Sequence, residues 1–369
     1  MRRISFLLFA IAMLAACTPA PPAAPPAPEP RPAKRPLNVI LLIGDGMGLT
    51  QISAGLYRNG NKLNLERFPV IGLHKSYSAD DLITDSAAGA TAFACGVKTY
   101  NGAIGVDMDT VSVPTILEEA EGKGFATGMV ATSSITHATP ASFIAHVSSR
   151  EMNEAIAAAF LDTEIDLFIG GGRKYFERRE SDSRNLWQEL EAKNYAVSAL
   201  AKEELKDMVL DFNKNLAFFT ADTQPVPVSG GRDYLLPASQ LSMAFLNQRS
   251  KGKGFFLMIE GSQIDWGGHA NNSQYIIDEM LDFDKAIGAA MDFAEEDGNT
   301  LVIVTADHET GGYSILLGSS MDTIVPGFTT TGHTGAMIPV FAYGPGSELF
   351  SGVYENTAIY RKMRAALNF

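Results

Sequence analysis

Apolar residues run without interruption from Leu37 to Ile43 and stop at Gly44-Asp45-Gly46, the pattern of a strand covered on both faces that ends in a polar loop. Four further runs share this character: Phe125–Val130, Ile165–Ile169, Phe255–Ile259 and Leu301–Thr305. Stretches with helical spacing lie between them, at Asp85–Ala94, Val113–Glu121, Ala238–Gln248 and Gln274–Glu295. This alternation predicts an α/β fold with a mostly parallel central sheet and helices on both faces. In such sheets ligands bind beyond the carboxyl ends of the strands. Asp45, the segment Thr132–His137, Glu260 and Asp307 with His308 all follow predicted strands, so unconnected pieces of chain converge on one edge. Residues 173–231 are less regular and more charged, and read as a small cap or peripheral insertion.

The amino terminus has a different pattern. Arg2 and Arg3 precede an apolar run, Ile4 to Ala16, that is too short to span a membrane and remain there, which is the form of a secretory leader over residues 1–16. It ends in Leu14-Ala15-Ala16-Cys17, which resembles the bacterial lipoprotein cleavage box and implies that Cys17 is lipidated. Residues 17–36 are then a Pro/Ala-rich tether to a globular domain at 37–369. The implied location is exported, periplasmic or cell-surface, and lipid-anchored. Thr18 is not the aspartate that commonly retains lipoproteins in the inner membrane, which points to the outer one. With Cys17 lipidated, Cys95 is the sole remaining thiol, so no internal disulfide forms and Cys95 reads as a small core residue.

Across 369 residues, 46% hydrophobic content and 34 glycines fit an ordered globular enzyme with one large core or two modest ones. The formal charge is -13; loss of Arg2 and Arg3 takes the 29 basic residues to 27 and the charge to -15. Such a surface disfavours a nucleic-acid groove. It also repels phosphate esters at a distance, so an anionic substrate must be captured by cations held locally.

Six short stretches carry side chains suited to metal-assisted chemistry: Gly44–Gly48, Thr84–Gly89, His137–Pro140, Glu260–His269, Ala306–Glu309 and Gly332–Gly335. Asp265 and His269 stand at i, i+4 and face one point on a helical turn, where His333 can complete a three-ligand zinc site with an open position. Asp307 and His308 are adjacent, a spacing that serves one metal only on irregular backbone such as that beyond a strand end; Asp45 would join them. An isolated Asp-His pair is more often a surface loop, but the company of the other segments argues against that here. Ser86 opens a run of small residues that reads as a helix start. A serine there can be a purely structural N-cap. It can equally be a nucleophile, because a helix N-terminus also favours negative charge, provided that a base or metal lowers the proton affinity of the hydroxyl.

In this order, from Asp45 to His333, the six stretches resemble the alkaline phosphatase family. The resemblance implies hydrolysis of phosphate monoesters to an alcohol and inorganic phosphate, with two zinc ions and a third ion, usually magnesium. By motif, Ser86 matches the nucleophile that becomes phosphoserine. Asp265, His269 and His333 match the ligands of one zinc; Asp45, Asp307 and His308, with Ser86, match those of the other. Asp45 also matches a bridge to the third site, to which Thr139 and Glu260 contribute. Arg150 matches the arginine that grips two phosphate oxygens. Trp266 stands where some relatives carry lysine or histidine, and His137 where others carry aspartate or histidine, so its contact with the third ion is open between direct, water-mediated and none. His308 and His333 are close in sequence, which leaves little room for the insertion that builds the outer crown and part of the dimer contact in longer relatives; a homodimer is compatible with this. His74 and His146 match no ligand position and read as structural. Glu118-Glu119 and Glu295-Glu296 read as solvated helix faces. Hydrolysis of phosphodiesters or sulfate esters is the neighbouring alternative, against which Ser86 and Arg150 favour monoesters. A non-catalytic lipoprotein that binds metal or phosphate would keep the ligands and lack Ser86.

Overall fold

The computed structural model describes residues 37–369; the leader, Cys17 and the tether fall outside the described residues. Fourteen strands follow in chain order among them: β1 Asn38–Gly44, β2 Val70–Lys75, β3 Ala126–Ser134, β4 Leu167–Gly171, β5 Tyr195–Ala199, β6 Asn215–Phe219, β7 Phe255–Gly261, β8 Thr300–Thr305, β9 Glu309–Thr310, β10 Ser314–Ile315, β11 Pro326–Gly327, β12 His333–Thr334, β13 Ile338–Tyr343 and β14 Gly352–Glu355. Ten form one sheet in the order β14-β2-β13-β8-β1-β7-β3-β4-β6-β5. Within this sheet only the pairings of β13 are antiparallel and the rest run parallel; β9 with β12 and β10 with β11 form two small antiparallel ladders.

The period-2 alternation of each strand divides the core in two. Val39, Leu41 and Ile43 of β1 face one hydrophobic cluster, while Ile40 and Leu42 face the other. Helices Ser86–Cys95, Ile116–Gly122 and Thr357–Leu367 cover the first face through Phe93, Ile116 and Ile359. Helices Leu49–Arg58, Leu235–Arg249 and Ser273–Asp297 cover the second through Ala54, Met243 and Met280. Each long element has a local reason to start and stop. Asn272 caps the helix Ser273–Asp297 and Gly298, left-handed at φ 63°, ends it. Thr115 and Glu118 form a reciprocal capping box at Ile116.

Residues 173–231 supply β5 and β6, which extend the main sheet at its edge and pair parallel with it. The stretch is peripheral in position but continuous with the sheet. Glu295 and Glu296 are exposed, as their spacing suggests, whereas Glu118 and Glu119 are half-buried. Glu118 caps its helix and accepts from His146 Nε2 at 3.0 Å. Glu119 accepts from Tyr360 Oη and pairs with Arg364 at 2.8 Å, and Glu295 pairs with Arg67 at 2.8 Å. Of the histidines read as structural, His146 has this partner and His74 is fully buried in β2, where its Nε2–H donates to the Ala306 carbonyl at 2.8 Å. Burial holds the His74 imidazole down at about 4, so it stays neutral.

Candidate active site

The four adjacent strands β8, β1, β7 and β3 end side by side, and their carboxyl ends deliver the chemistry-bearing residues. Asp45 follows β1 directly, and its N–H donates to Gly261 O at 3.2 Å. Gly46 at φ 71° makes the turn; a Cβ there would lie 2.7 Å from Asp265 Cα, so only glycine lets the β1 loop approach the helix Gln263–His269. Glu260 lies in β7 opposite Ile43. Asp307 and His308 leave β8 on non-helical backbone, and His333 is carried back to them by β12, which pairs with β9.

Three groups of ligand atoms result, each within 4.8 Å of one another: Asp265, His269 and His333; Asp45, Asp307 and His308; and Asp45, His137 and Glu260. His269 Nε2 lies 3.2 Å from Asp265 Oδ2, and His333 Nε2 lies 3.6 Å from Asp265 Oδ1. His308 Nε2 lies 3.4 Å from Asp45 Oδ1 and 3.3 Å from Asp307 Oδ2. The His308 and His333 rings stack with centroids 3.5 Å apart.

The other nitrogen of each ring decides the tautomer. His269 Nδ1 faces Thr331 O at 2.6 Å and His333 Nδ1 faces Thr84 O at 2.8 Å. A carbonyl can only accept, so both Nδ1 atoms carry protons and a neutral ring presents a lone pair at Nε2. Those two Nε2 atoms are 3.2 Å apart. With both rings neutral, two lone pairs at that distance would repel; either a proton, which Asp265 favours on His269, or a shared cation relieves the repulsion. His308 Nδ1 lies 3.2 Å from Thr310 Oγ1, whose hydroxyl donates to Asp265 Oδ1.

The carboxylates make the same demand. Asp45, Glu260 and Asp307 have no exposure and Asp265 has 4%. Both Asp45 oxygens, Glu260 Oε1, Asp307 Oδ2 and Thr139 Oγ1 are buried without a hydrogen-bond partner. Unpaired carboxylates cost several kcal/mol each to bury. Burial and the neighbouring Asp307 charge push Asp45 well up. Burial raises Glu260 to about 8 against the pull of the Ser262, Thr139 and Ser133 groups. Burial and Asp265 raise Asp307 to about 6. Asp265 alone is held well below the usual range, because the hydrogen bond from His269 and the nearby imidazoles outweigh its burial. Reciprocally, the Asp265 contact raises His269 to about 9. A cluster so arranged fits divalent cations: two N/O donor sets and a third richer in oxygen.

Ser86 is the first residue of the helix Ser86–Cys95, and the cap is Asp85, whose Oδ1 accepts from Ala88 N at 2.9 Å. The Ser86 hydroxyl is thereby free of capping duty, and its Oγ lies 3.2 Å from His308 Nε2. Asp85 Oδ2 accepts from Arg150 Nη1 at 2.9 Å and from Gly102 N at 3.0 Å, which ties the guanidinium to the residue that precedes Ser86. Arg150 Nη2 reaches to 3.4 Å from His137 Nε2, and Trp266 meets the His137 ring edge-on at 6.2 Å. Burial and the Arg150 charge lower His137 to about 3, so it is neutral, and its Nδ1 is buried without a partner.

All the residues singled out from the sequence therefore meet at one place, His137 and Trp266 included. Four contributors were not singled out: Asp85, Thr310, and the Thr84 and Thr331 carbonyls. Asp85 carried a readable signal, an acidic residue before a helix start. A carbonyl's direction leaves no trace in a single sequence.

Comparison with known proteins agrees with this geometry. The alkaline phosphatase family model matches residues 36–326 and 320–369. Alkaline phosphatase 3 of Bacillus subtilis is 35% identical over 90% of this chain and 89% of its own. Alkaline phosphatase of Escherichia coli is 32% identical over 89% of this chain and 86% of its own. The structure of alkaline phosphatase from the Antarctic bacterium TAB5 superimposes with a TM-score of 0.85 at 46% identity, over 92% of this chain and 99% of that one. A variant of the TAB5 enzyme with histidine replaced by aspartate holds magnesium at its M3 site. The chain belongs to the alkaline phosphatase family and is a metal-binding hydrolase of phosphate monoesters.

Proposed function

We propose that Ser86 carries the phosphoryl group between the ester and water. The supporting observation is that the Ser86 Oγ, released from capping by Asp85, lies 3.2 Å from His308 Nε2 at the junction of the two N/O ligand groups. Asp265, His269 and His333 hold one zinc, and Asp45, Asp307 and His308, with Ser86, hold the second. When bound, such ions lower the proton affinity of a nearby hydroxyl and neutralise charge on a transferring phosphoryl group.

The chain's own residues do the rest. The amides at the start of helix Ser86–Cys95 favour the developing negative charge. Arg150, held by Asp85, offers two parallel N–H groups to two non-bridging oxygens, which a monoester dianion leaves free. The Ser86 oxygen bonds to phosphorus as the alcohol oxygen leaves and takes up a proton. Water then adds to phosphorus from the side that the alcohol vacated. The Ser86–phosphorus bond breaks, the serine regains its proton, and inorganic phosphate departs.

At the third group, Asp45, Glu260 and Thr139 offer oxygens suited to magnesium, with His137 beside them. An imidazole nitrogen is softer than magnesium prefers. Replacing His137 with aspartate should therefore tighten magnesium binding; a TAB5 variant with aspartate in place of a histidine holds magnesium at its M3 site.

We further propose export by the leader at 1–16, lipidation at Cys17, and display from the outer membrane on the tether 17–36, with 37–369 as the catalytic domain, acting as a homodimer. The charge and hydropathy of the first residues support the leader and the tether, as does a family match that starts at residue 36. Membrane fractionation of Cys17→Ser tests the anchor, and light scattering of the domain tests the dimer. Among the described residues no helix is long and apolar enough to cross a membrane.

The deciding experiment compares phosphate release from an aryl monoester by the wild type and Ser86→Ala, with bound metals counted in both. The proposal expects a loss of orders of magnitude with the zinc retained. Equal turnover would remove Ser86 from the mechanism.

A further inference from the structure

Glu309 is buried at 6% exposure immediately after His308, yet it belongs to none of the three ligand groups. Both of its oxygens are fully engaged. Oε1 accepts from Gln51 Nε2 at 2.7 Å and Tyr313 N at 3.0 Å. Oε2 accepts from Gly312 N at 3.2 Å and from the Thr334 hydroxyl. Gln51 Nε2 donates a second time, to Thr310 O at 2.8 Å. Space for this carboxylate is reserved by Gly48, where a Cβ would lie 2.4 Å from Glu309 Cγ.

The pairing of β9 with β12 shows what these bonds accomplish. The register sets Thr310 opposite His333 and Glu309 opposite Thr334. Adjacent residues of a strand point to opposite faces. On the front of this ladder, Thr310 Oγ1 contacts Asp265 and His308 while His333 stacks on His308. On the back, Glu309 holds Thr334. A ladder of two residues per strand is marginal by itself. Its separation must be fixed by side chains, and the Glu309–Thr334 bond spans the two strands next to both ligand histidines. Through Gln51 the same carboxylate also fastens the ladder to the helix Leu49–Arg58 that follows Asp45.

We infer that Glu309 is a positioning residue that, through Thr334, sets His333 against Asp265 and His269 and so sets how tightly that group holds its zinc ion. It touches neither substrate nor metal. The inference rests on the reading of Asp265, His269 and His333 as a zinc site. His308 is anchored by β8 and fully buried, whereas His333 reaches the site only through β12 and its Thr84 contact. Loosening the back of the ladder therefore weakens one ion selectively.

The test uses zinc alone. Competition with a chromogenic chelator gives the affinity of each ion in the wild type, Glu309→Gln, Thr334→Val and His333→Ala, and thermal unfolding of each metal-free protein is recorded beside it. Glu309→Gln keeps the shape but turns an amide NH2 towards donors; Thr334→Val removes one half-buried hydroxyl and leaves folding intact. Both variants are expected to weaken one of the two zinc ions about 10- to 100-fold, the range typical of residues that orient a ligand, and to spare the other. Thr334→Val should also leave metal-free unfolding within about 2 °C. The ion affected must be the one that His333→Ala abolishes. Equal weakening of both ions, or of neither, while His333→Ala loses one, overturns the inference. If His333→Ala binds zinc as the wild type does, the zinc assignment itself fails, and this inference falls with it.

Discussion

Gly89 sits one turn beyond Ser86 on the same face of its helix, and a Cβ built there would lie 3.0 Å from Asp307 Cβ, 3.5 Å from Asp307 O and 3.6 Å from Asp307 Cα. Its φ is not positive, so alanine introduces no backbone strain. In an exposed helix the change would stabilise by about 1 kcal/mol. Carbon atoms pack best at about 3.5–4.0 Å, so the contact must open by about 0.5 Å. Asp307 cannot readily retreat, because its Oδ1 is held by Gly46 N at 3.2 Å and His308 N at 3.0 Å. The helix must move instead, and it carries Ser86 away from His308. A misplacement of 1 Å at reacting groups costs about 100-fold, so about 0.5 Å predicts a loss of about tenfold in kcat/KM. Overpacking costs about 1–3 kcal/mol, offset by about 1 from helix propensity, so the net loss of stability is about 0–2 kcal/mol. Initial rates with an aryl phosphate, beside thermal unfolding, measure both. Gly122→Ala is the control: it also lies in a helix, nothing comes within 4 Å of its Cβ, and it should leave activity unchanged. If Gly89→Ala lowers stability while kcat/KM changes less than twofold, the contact is packing alone and does not place Ser86.

Three further outcomes are expected. In metal-free protein, Glu260 titrates at about 8 and Asp307 at about 6, both raised by burial above their ordinary 4.5 and 3.8. Below about pH 6.5 the buried neutral His74 and His137 oppose this trend, but from pH 7 to pH 9 the folded state holds protons that the unfolded state has released, so the melting temperature should fall over that range; a flat or rising profile in calorimetry would contradict the cluster. His146 is raised by the hydrogen bond that it donates to Glu118, and Glu118 is lowered by His146 despite its burial. The histidine contribution is complete below its ordinary value and is lost as pH rises through the raised one, while the Glu118 contribution is lost on acidification. His146→Gln should therefore cost about 1 kcal/mol near pH 6 and less at pH 9, as read from denaturant midpoints. Cys95 is buried, and burial pushes its thiol far up, so a chromogenic disulfide reagent at pH 8 should react only after unfolding.

The parts legible in the sequence were those with a single local cause. β1, β7 and β8 are buried on both faces, so their residues are apolar without break, and the ligands sit where those runs stop. Helix boundaries came within a few residues, because caps such as Asn272 and Gly298 are local chemistry. β2, with its mixed burial, has no continuous apolar signature, and in β13 the apolar run contains Pro339, which argues against a strand; neither was assigned. β6 lies in a charge-rich stretch and is a strand only because β4 and β5 flank it. Within the site, carboxylates and imidazoles announced themselves by type. The Thr310 hydroxyl and the Thr84 and Thr331 carbonyls did not, because which way they point depends on pairings such as β9 with β12 that join distant segments.

The central pairing of the sheet also dictates an order of events. Val39 of β1 lies opposite Phe256 on one side and Leu301 on the other. The strand that emerges first from the ribosome must wait for the last third of the chain before it has a neighbour, and contacts of such long range form slowly. Asp45 belongs to two ligand groups, yet it meets Glu260 only when β7 has arrived, and His333 comes later still. All three ligand groups are thus complete only once His333 has joined them, which ties the assembly of the site to the synthesis of nearly the whole chain.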